Sequence, residues 1–120
     1  MSGSGHSENA HGGVGHWWQQ RLSSLILIPL SIWLLWAVTR LSGANYATAL
    51  EFFNRPLQKG FAMMLFAVIA FHAQSGIQVI CEDYVGPPWF QSTLIWLTRA
   101  GCAAGFLLAV FALLNLPVGG

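Results

Sequence analysis

Residues 60–81 read GFAMMLFAVIAFHAQSGIQVIC and contain no Asp, Glu, Lys or Arg between Lys59 and Glu82. This length is close to the ~20 apolar residues that an α-helix needs to cross the ~30 Å hydrocarbon core of a bilayer. The hydrocarbon offers no water to the backbone, so a segment of this kind crosses it as a helix. The stretch therefore predicts a transmembrane helix with one ionisable residue, His72, near its middle.

Two further stretches predict two more spans. Residues 22–39 carry no charge between Arg21 and Arg40, and no charged residue follows Arg99. In the loop between the first two spans, Tyr46, Leu50 and Phe53 recur at helical spacing, which favours a short helix in the membrane interface. The sequence thus predicts an all-α integral membrane protein with three transmembrane helices, over about residues 20–41, 58–82 and 90–116.

The composition supports this fold class and limits the function. Hydrophobic residues make up 55% of the 120 residues and charged residues 8%, against about 25% charged in a soluble domain. The net charge of +1 gives no indication of nucleic-acid binding. We expect a flexible tail over residues 1–15 and one anchor domain over residues 16–120. The first residues have neither a secretory nor a mitochondrial import pattern, which favours the bacterial inner membrane.

His72 is the first candidate functional residue, because an ionisable side chain in the middle of a span is costly. It is either a neutral histidine hydrogen-bonded to a neighbouring helix or an axial ligand of a haem iron. Gly76, one turn on, leaves space for a flat macrocycle. At 100° per residue, the face of His72 also carries the residues that we expect to pack against such a group: Val68, Ile69, Ser75, Gly76 and Val79.

A second candidate site lies at one rim of the membrane. Asp83 and Tyr84 end the second span, and an antiparallel first helix brings Arg21 and Ser24 towards the same side. These residues are either ordinary interfacial anchors or the lining of a polar pocket. In such a pocket a phenol donates to a quinone carbonyl, and an arginine suits a haem propionate. Physical arguments alone leave both interpretations open.

Arg99, Gln74 and Gln78 are further polar candidates within the predicted spans. Arg99 either extends towards the rim or contacts a haem. Gln74 and Gln78 lie one turn apart on one face, which predicts hydrogen bonds across helices.

Two stretches together resemble a known family. One is His72-Ala73-Gln74-Ser75-Gly76 followed by Asp83-Tyr84-Val85, and the other is His16-Trp17-Trp18-Gln19-Gln20-Arg21 followed by Leu22-Ser23-Ser24. They are similar to the signature of the small hydrophobic membrane anchor of succinate dehydrogenase. In that family a histidine, a glycine four residues on and an Asp-Tyr pair mark the second helix. With the three spans, the likeness covers about residues 16–115.

The resemblance implies one member of a four-part complex. A flavoprotein subunit oxidises succinate, an iron–sulfur subunit passes the electrons on, and two membrane anchors hold haem b between them and form the ubiquinone site. On matching positions, His72 would ligate the haem iron, with the second ligand from the partner anchor, the cytochrome b subunit. Tyr84 would hydrogen-bond the quinone beside Asp83, and Arg21 would serve the haem propionates or the quinone pocket.

Three alternatives remain at this point. A fumarate reductase anchor uses the same architecture with menaquinone in the opposite direction. A small transporter subunit would use His72 as a proton relay, and it predicts further buried acids, which the spans lack. In a structural subunit His72 would be incidental. The chain has no flavin fingerprint and no cysteine cluster, so we predict no catalytic residue in this chain alone.

The orientation receives two opposing indications. Arg40, Arg55 and Lys59 surround the first loop, and the positive-inside rule would place that loop in the cytoplasm. The resemblance implies the reverse, with the N-terminus in the cytoplasm and the C-terminus in the periplasm. Its partners in a complex can determine the orientation of an anchor, so we follow the resemblance.

Overall fold

A computed structural model of the chain describes residues 4–117, with side chains from residue 17 onward. It contains four α-helices and, within the described residues, no strand. This confirms the prediction of an all-α fold. The helices are α1 (Ser4–Leu41), α2 (Tyr46–Asn54), α3 (Pro56–Tyr84) and α4 (Pro88–Leu114).

Three of these helices are long and apolar enough to cross a membrane, as predicted: Trp17–Leu41, Pro56–Tyr84 and Pro88–Leu114. Helix α1 begins at Ser4, within the stretch for which the sequence predicts a flexible tail. The first three residues and the side chains of His6, His11 and His16 lie outside the described part of the chain. The flexibility of residues 1–15 therefore stays a prediction.

Local signals in the sequence set the helix ends. Helices α3 and α4 both begin with proline, which lacks the N–H that would have no partner in a first helical turn. Helix α2 is capped by Asn45, whose side chain accepts a hydrogen bond of 2.9 Å from the Thr48 N–H. After α1, the chain turns at Gly43, whose φ of 77° is a conformation that glycine adopts readily.

Helix α3 lies between α1 and α4 and makes the principal contacts with both. The short connections make neighbouring helices antiparallel. Trp33 Nε1 of α1 donates a bond of 2.7 Å to Gln58 Oε1 near the start of α3. Near the end of α3, Gln91 Nε2 of α4 donates to the Cys81 carbonyl at 3.0 Å. These bonds set the axial register of the three spans.

The apolar core is small, and most large apolar side chains face outwards. No large side chain is fully buried among the described residues, and Leu35, Leu108 and Phe111 are each about two-thirds exposed. Such an outer surface suits lipid and partner helices, because lipid tails are as apolar as these side chains. In lipid the hydrophobic effect contributes little to helix pairing. Polar contacts between the helices therefore contribute a larger share of the free energy that holds the spans together.

Candidate functional site

The central contact of the site joins His72 on α3 to Ser23 on α1. Ser23 Oγ lies 2.9 Å from His72 Nδ1, and it also donates a bond of 2.9 Å to the Gln20 carbonyl. Ser23 is 4% exposed, and the imidazole is half-buried. The lone histidine of the spans is therefore held through one ring nitrogen by a buried hydroxyl on the neighbouring helix.

This contact leaves the other ring nitrogen available. Among the described residues, no hydrogen bond reaches His72 Nε2. When Nε2 binds a metal, Nδ1 carries the ring proton and donates to Ser23 Oγ, whose own proton goes to the Gln20 carbonyl. Metal-ligating histidines commonly have such a partner on the second nitrogen, which orients the ring and raises its basicity. The donors and acceptors thus fit a histidine that ligates a metal through Nε2.

A metal at His72 would need at least one ligand from outside the described chain. No cluster of three or more His, Cys, Asp or Glu side chains that could hold a metal is found in residues 17–117. A haem iron needs only two axial protein ligands, because the macrocycle supplies the others. One histidine per subunit is therefore sufficient for a haem that two subunits share.

Gly76 lies one turn after His72 and faces the Gln20 side chain of α1. A Cβ atom on Gly76 would lie 3.6 Å from Gln20 Nε2, an ordinary contact distance. In this structure the Gln20 amide therefore borders the space that the sequence assigns to a macrocycle. Gln20 Oε1 is buried and has no hydrogen-bond partner in the described part of the chain. It is an acceptor that a ligand or a partner subunit could use.

The predicted haem-packing residues divide into two sets. Ser75 is buried, while Val68 and Gly76 are half-buried, and Val68 lines an apolar groove of about 300 Å³ between α1 and α3. Ile69 and Val79 are 43% and 42% exposed, so the chain's own helices cover them only in part. A haem in contact with all five residues would be covered by this chain on one side. Its other side would be open to a second molecule.

The four residues predicted for the rim do not form one bonded cluster. With Ser23 opposite His72, Arg21 is level with about residue 74, roughly 13 Å along the axis from Asp83 at 1.5 Å per residue. The Arg21 guanidinium lies over the Trp17 ring, 5.0 Å from its centroid. The structure thus places Arg21 at the depth of the histidine site and Asp83 nearer the end of α3.

Asp83 and Tyr84 occupy the last turn of α3. Both are exposed, Tyr84 to 83%, and neither side chain forms a hydrogen bond with another described residue. Both groups are therefore available to a ligand or a partner. Ser24 is half-buried and donates to the Gln20 carbonyl at 2.9 Å, and it has no bond to α3.

Ser23 is the residue that the sequence interpretation missed. It stands beside Ser24, and nothing in the composition distinguishes the two. Only the rotation of α1 separates them: Ser23 lies three residues after Gln20 and seven before Leu30, which is buried in the structure. These three positions share the face of α1 that packs on α3.

A chain of polar side chains lies between α3 and α4, where the sequence predicted bonds from Gln74 and Gln78. Gln78 Oε1 accepts bonds of 3.0 Å from Gln74 Nε2 and from the Arg99 guanidinium of α4. Gln78 Nε2 donates to Glu82 Oε1 at 3.0 Å. The bond across helices is thus confirmed for Gln78, whereas Gln74 bonds within its own helix.

Comparison with known proteins shows that the similarity to a known family covers nearly the whole helical region. The family model for the succinate dehydrogenase/fumarate reductase transmembrane subunit matches residues 5–115. This chain belongs to that family. The matched region includes α1 to α4 and both His72 and the Asp83-Tyr84 pair, so the family resemblance inferred from the sequence is confirmed.

Several relatives in the family carry more specific names. A succinate dehydrogenase hydrophobic membrane anchor subunit of Rickettsia bellii is 31% identical over 108 residues, which are 86% of this chain and 85% of the relative. One of Rickettsia felis is 28% identical over 82% of this chain and 85% of the relative. A succinate dehydrogenase membrane anchor subunit of Reclinomonas americana is 31% identical over 72% of this chain and 75% of the relative. No solved structure matches.

The two adjacent serines provide a matched pair of variants. Ser23→Ala removes the partner of a half-buried imidazole nitrogen. Hydrogen bonds between membrane helices contribute about 0.6 kcal/mol on average and up to about 1.7 kcal/mol, and we expect a loss towards the upper end because Ser23 is buried. Ser24→Ala removes only a bond within α1 and should cost less than about 0.5 kcal/mol. The free energy of unfolding of the detergent-solubilised protein gives the comparison. Equal losses of unfolding free energy in the two variants would contradict the hydrogen bond between Ser23 and His72 as a contact that holds α1 to α3.

Proposed function

We propose that this chain is a membrane anchor subunit of succinate dehydrogenase in a bacterial inner membrane and that His72 provides one axial ligand to a haem b. The observation that carries the haem assignment is the bond between Ser23 Oγ and His72 Nδ1, because it leaves Nε2 to bind iron. Such a haem would supply a one-electron redox centre inside the membrane. Family membership supports the assignment to the enzyme complex.

The second axial ligand belongs in this proposal to a partner anchor, a cytochrome b subunit. The partial exposure of Ile69 and Val79 supports this division, because it leaves apolar surface on the His72 face that this chain does not fully cover. Ser75 and Val68 would line the haem on this chain's side. Arg21, at the depth of His72, would meet a haem propionate, since a guanidinium can bind a carboxylate through two parallel hydrogen bonds.

The quinone site in this proposal lies at the Asp83-Tyr84 end of α3. Electrons from succinate would arrive through the flavoprotein and iron–sulfur subunits, and ubiquinone would be the acceptor. Reduction puts negative charge on a carbonyl oxygen, and a donor already in position stabilises that charge. The Tyr84 hydroxyl is such a donor, and Asp83 beside it could connect a proton path to water. In this proposal Ser24 stays with Arg21 on the haem side, because it is level with about residue 71 of α3, roughly 18 Å along the axis from Asp83.

Succinate oxidation is favoured over a fumarate reductase role with menaquinone. The family model includes both enzymes, whereas the relatives from Rickettsia and from Reclinomonas americana are all named as subunits of succinate dehydrogenase.

The haem assignment is tested by changing the ligand. In the purified complex, His72→Ala should abolish or alter the b-type signal of the reduced-minus-oxidised absorption spectrum and change the electron paramagnetic resonance of the ferric haem, because one axial ligand is lost. Gln74→Ala, two residues further on the same helix, is the control and should leave both spectra unchanged. An assembled His72→Ala complex with wild-type spectra would rule the ligand out.

The quinone assignment is tested at the phenol. Tyr84→Phe removes one oriented donor, and we expect ubiquinone reduction to fall on the order of 10²-fold. Assembly, haem content and succinate oxidation with an artificial dye should persist. Tyr46→Phe is the matched control, because Tyr46 is also exposed, to 73%, but lies at the start of α2. If the Tyr84→Phe complex reduces ubiquinone at the wild-type rate, the hydroxyl has no role in the reaction and Tyr84 is only an interfacial anchor.

We further propose that the N-terminus lies in the cytoplasm and the C-terminus in the periplasm. Soluble electron-donor subunits must reach the Asp83-Tyr84 end of α3, and an odd number of spans then places the termini on opposite sides. In a background without Cys81 and Cys102, an impermeant thiol reagent applied to intact cells should label Gly120→Cys and not Ser4→Cys. The opposite labelling pattern would show that the orientation is inverted and that the positive-inside rule holds.

A further inference from the structure

Arg99 is a charged residue inside a predicted span. The bond from Gln91 to the Cys81 carbonyl places the Arg99 backbone level with about residue 73 of α3. Its guanidinium nevertheless bonds to Gln78 at 3.0 Å, about 7 Å closer to the end of α3 at 1.5 Å per residue. The side chain therefore extends towards the Asp83-Tyr84 end of the membrane, as a snorkelling arginine does.

The charge of Arg99 is only partly satisfied by the chain itself. A guanidinium has five N–H donors, and within the described residues one hydrogen bond is found, to Gln78. The group also lies over the Trp96 ring, 5.3 Å from its centroid. The nearest acid in this polar chain, Glu82, reaches Arg99 only through Gln78, and the two form no ion pair in the described part of the chain. Several donors thus remain available to an anion.

An apolar groove of about 210 Å³ begins at Arg99 and runs between α3 and α4 towards the middle of the membrane. Residues 70–74 of α3 and 102–106 of α4 lie deeper than the guanidinium, because the two helices are antiparallel. Apart from Arg99, the groove is lined by Ala70, Phe71, Gln74, Cys102, Ala103 and Phe106. It therefore has a cationic outer end and an apolar floor below.

We propose that this groove binds an anionic phospholipid, with the headgroup phosphate on Arg99 and an acyl chain along Ala70, Ala103 and Phe106. Arginine binds phosphate through short, charge-assisted hydrogen bonds, and these are stronger where water is scarce. The Arg99 partner Gln78 lies six residues from the end of α3, about 9 Å along the axis, a depth that a headgroup phosphate and the upper acyl chain can share.

Charge decides between the possible occupants. An apolar helix of a partner subunit or a quinone tail would fill the groove but would leave the remaining guanidinium donors without an acceptor, which is costly away from water. A phospholipid with a net negative charge suits the whole groove, because its phosphate can bind Arg99 and its acyl chain can lie along the apolar side chains below. The site lies on the α4 side of α3, whereas His72 bonds to α1. It therefore lies on a different face of α3 from the bond that supports the haem assignment.

The test uses the assembled complex, stripped of lipid in a nonionic detergent and titrated with phosphatidylglycerol or phosphatidylcholine in native mass spectrometry. Wild type should bind phosphatidylglycerol more tightly. Arg99→Gln should weaken that binding about tenfold or more, because hydrogen bonds to charged groups contribute about 1.5–3 kcal/mol. Ala103→Phe, which fills the groove without altering the charge, should weaken it as well, and Arg99→Lys should retain much of it.

Arg40→Gln is the matched control. Arg40 also stacks on a tryptophan, 5.6 Å from the Trp36 ring centroid, but the groove beside it contains the acidic Glu51. Its substitution should leave phosphatidylglycerol binding unchanged. Equal binding of the two lipids by wild type, or wild-type affinity in Arg99→Gln, would overturn the proposal. Loss in Arg99→Gln with full retention in Ala103→Phe would also overturn it, since a headgroup alone would then be bound.

Discussion

The hydrogen bond between Ser23 and His72 is the interaction on which the rest of the site depends. Two apolar helices in lipid gain little from hiding apolar surface from each other, so their relative position is set by close packing and by the few polar groups that need partners. Here a buried hydroxyl and a half-buried imidazole meet at 2.9 Å. Together with the bond between Trp33 and Gln58, this contact sets the register of α1 on α3. It also determines which ring nitrogen is available and places Arg21 at the depth of the histidine.

Helix α3 forms separate sets of polar contacts with its two neighbours, α1 and α4. Towards α1 it presents His72 and Gly76, and towards α4 it presents Gln78, which accepts a bond from Arg99. The two systems use different faces of one uninterrupted helix, so a change at one does not have to disturb the other. The outward surface of the same helix, including Ile69 and Val79, remains exposed. A central helix with polar contacts on two sides and an open apolar surface suits a subunit that anchors a larger assembly.

The sequence predicted some parts of the site and missed others for identifiable reasons. His72 could be found because a lone ionisable residue in the middle of a span is costly and therefore conspicuous. Ser23 could not be told from Ser24, because both are small hydroxyl residues and only the rotation of α1 decides which one faces α3. Arg21, Asp83 and Tyr84 were grouped because an antiparallel first helix begins at the side of the membrane where the second helix ends. In the structure Arg21 lies at the same height along the helix axis as about residue 74 of α3. It is therefore about 13 Å from Asp83 along that axis.

The amino-acid sequence is sufficient to establish a three-span helical membrane protein, because runs of about 20 apolar residues leave the backbone no other way to cross a bilayer. It also determined the short helix α2 and the family. Which polar residues meet depends on how the helices pack in the folded chain: Ser23 with His72, Gln20 beside Gly76, and Arg99 with Gln78. The physical reason is that hydropathy is a sum along one segment, whereas a polar contact depends on the rotation and axial level of two segments at once.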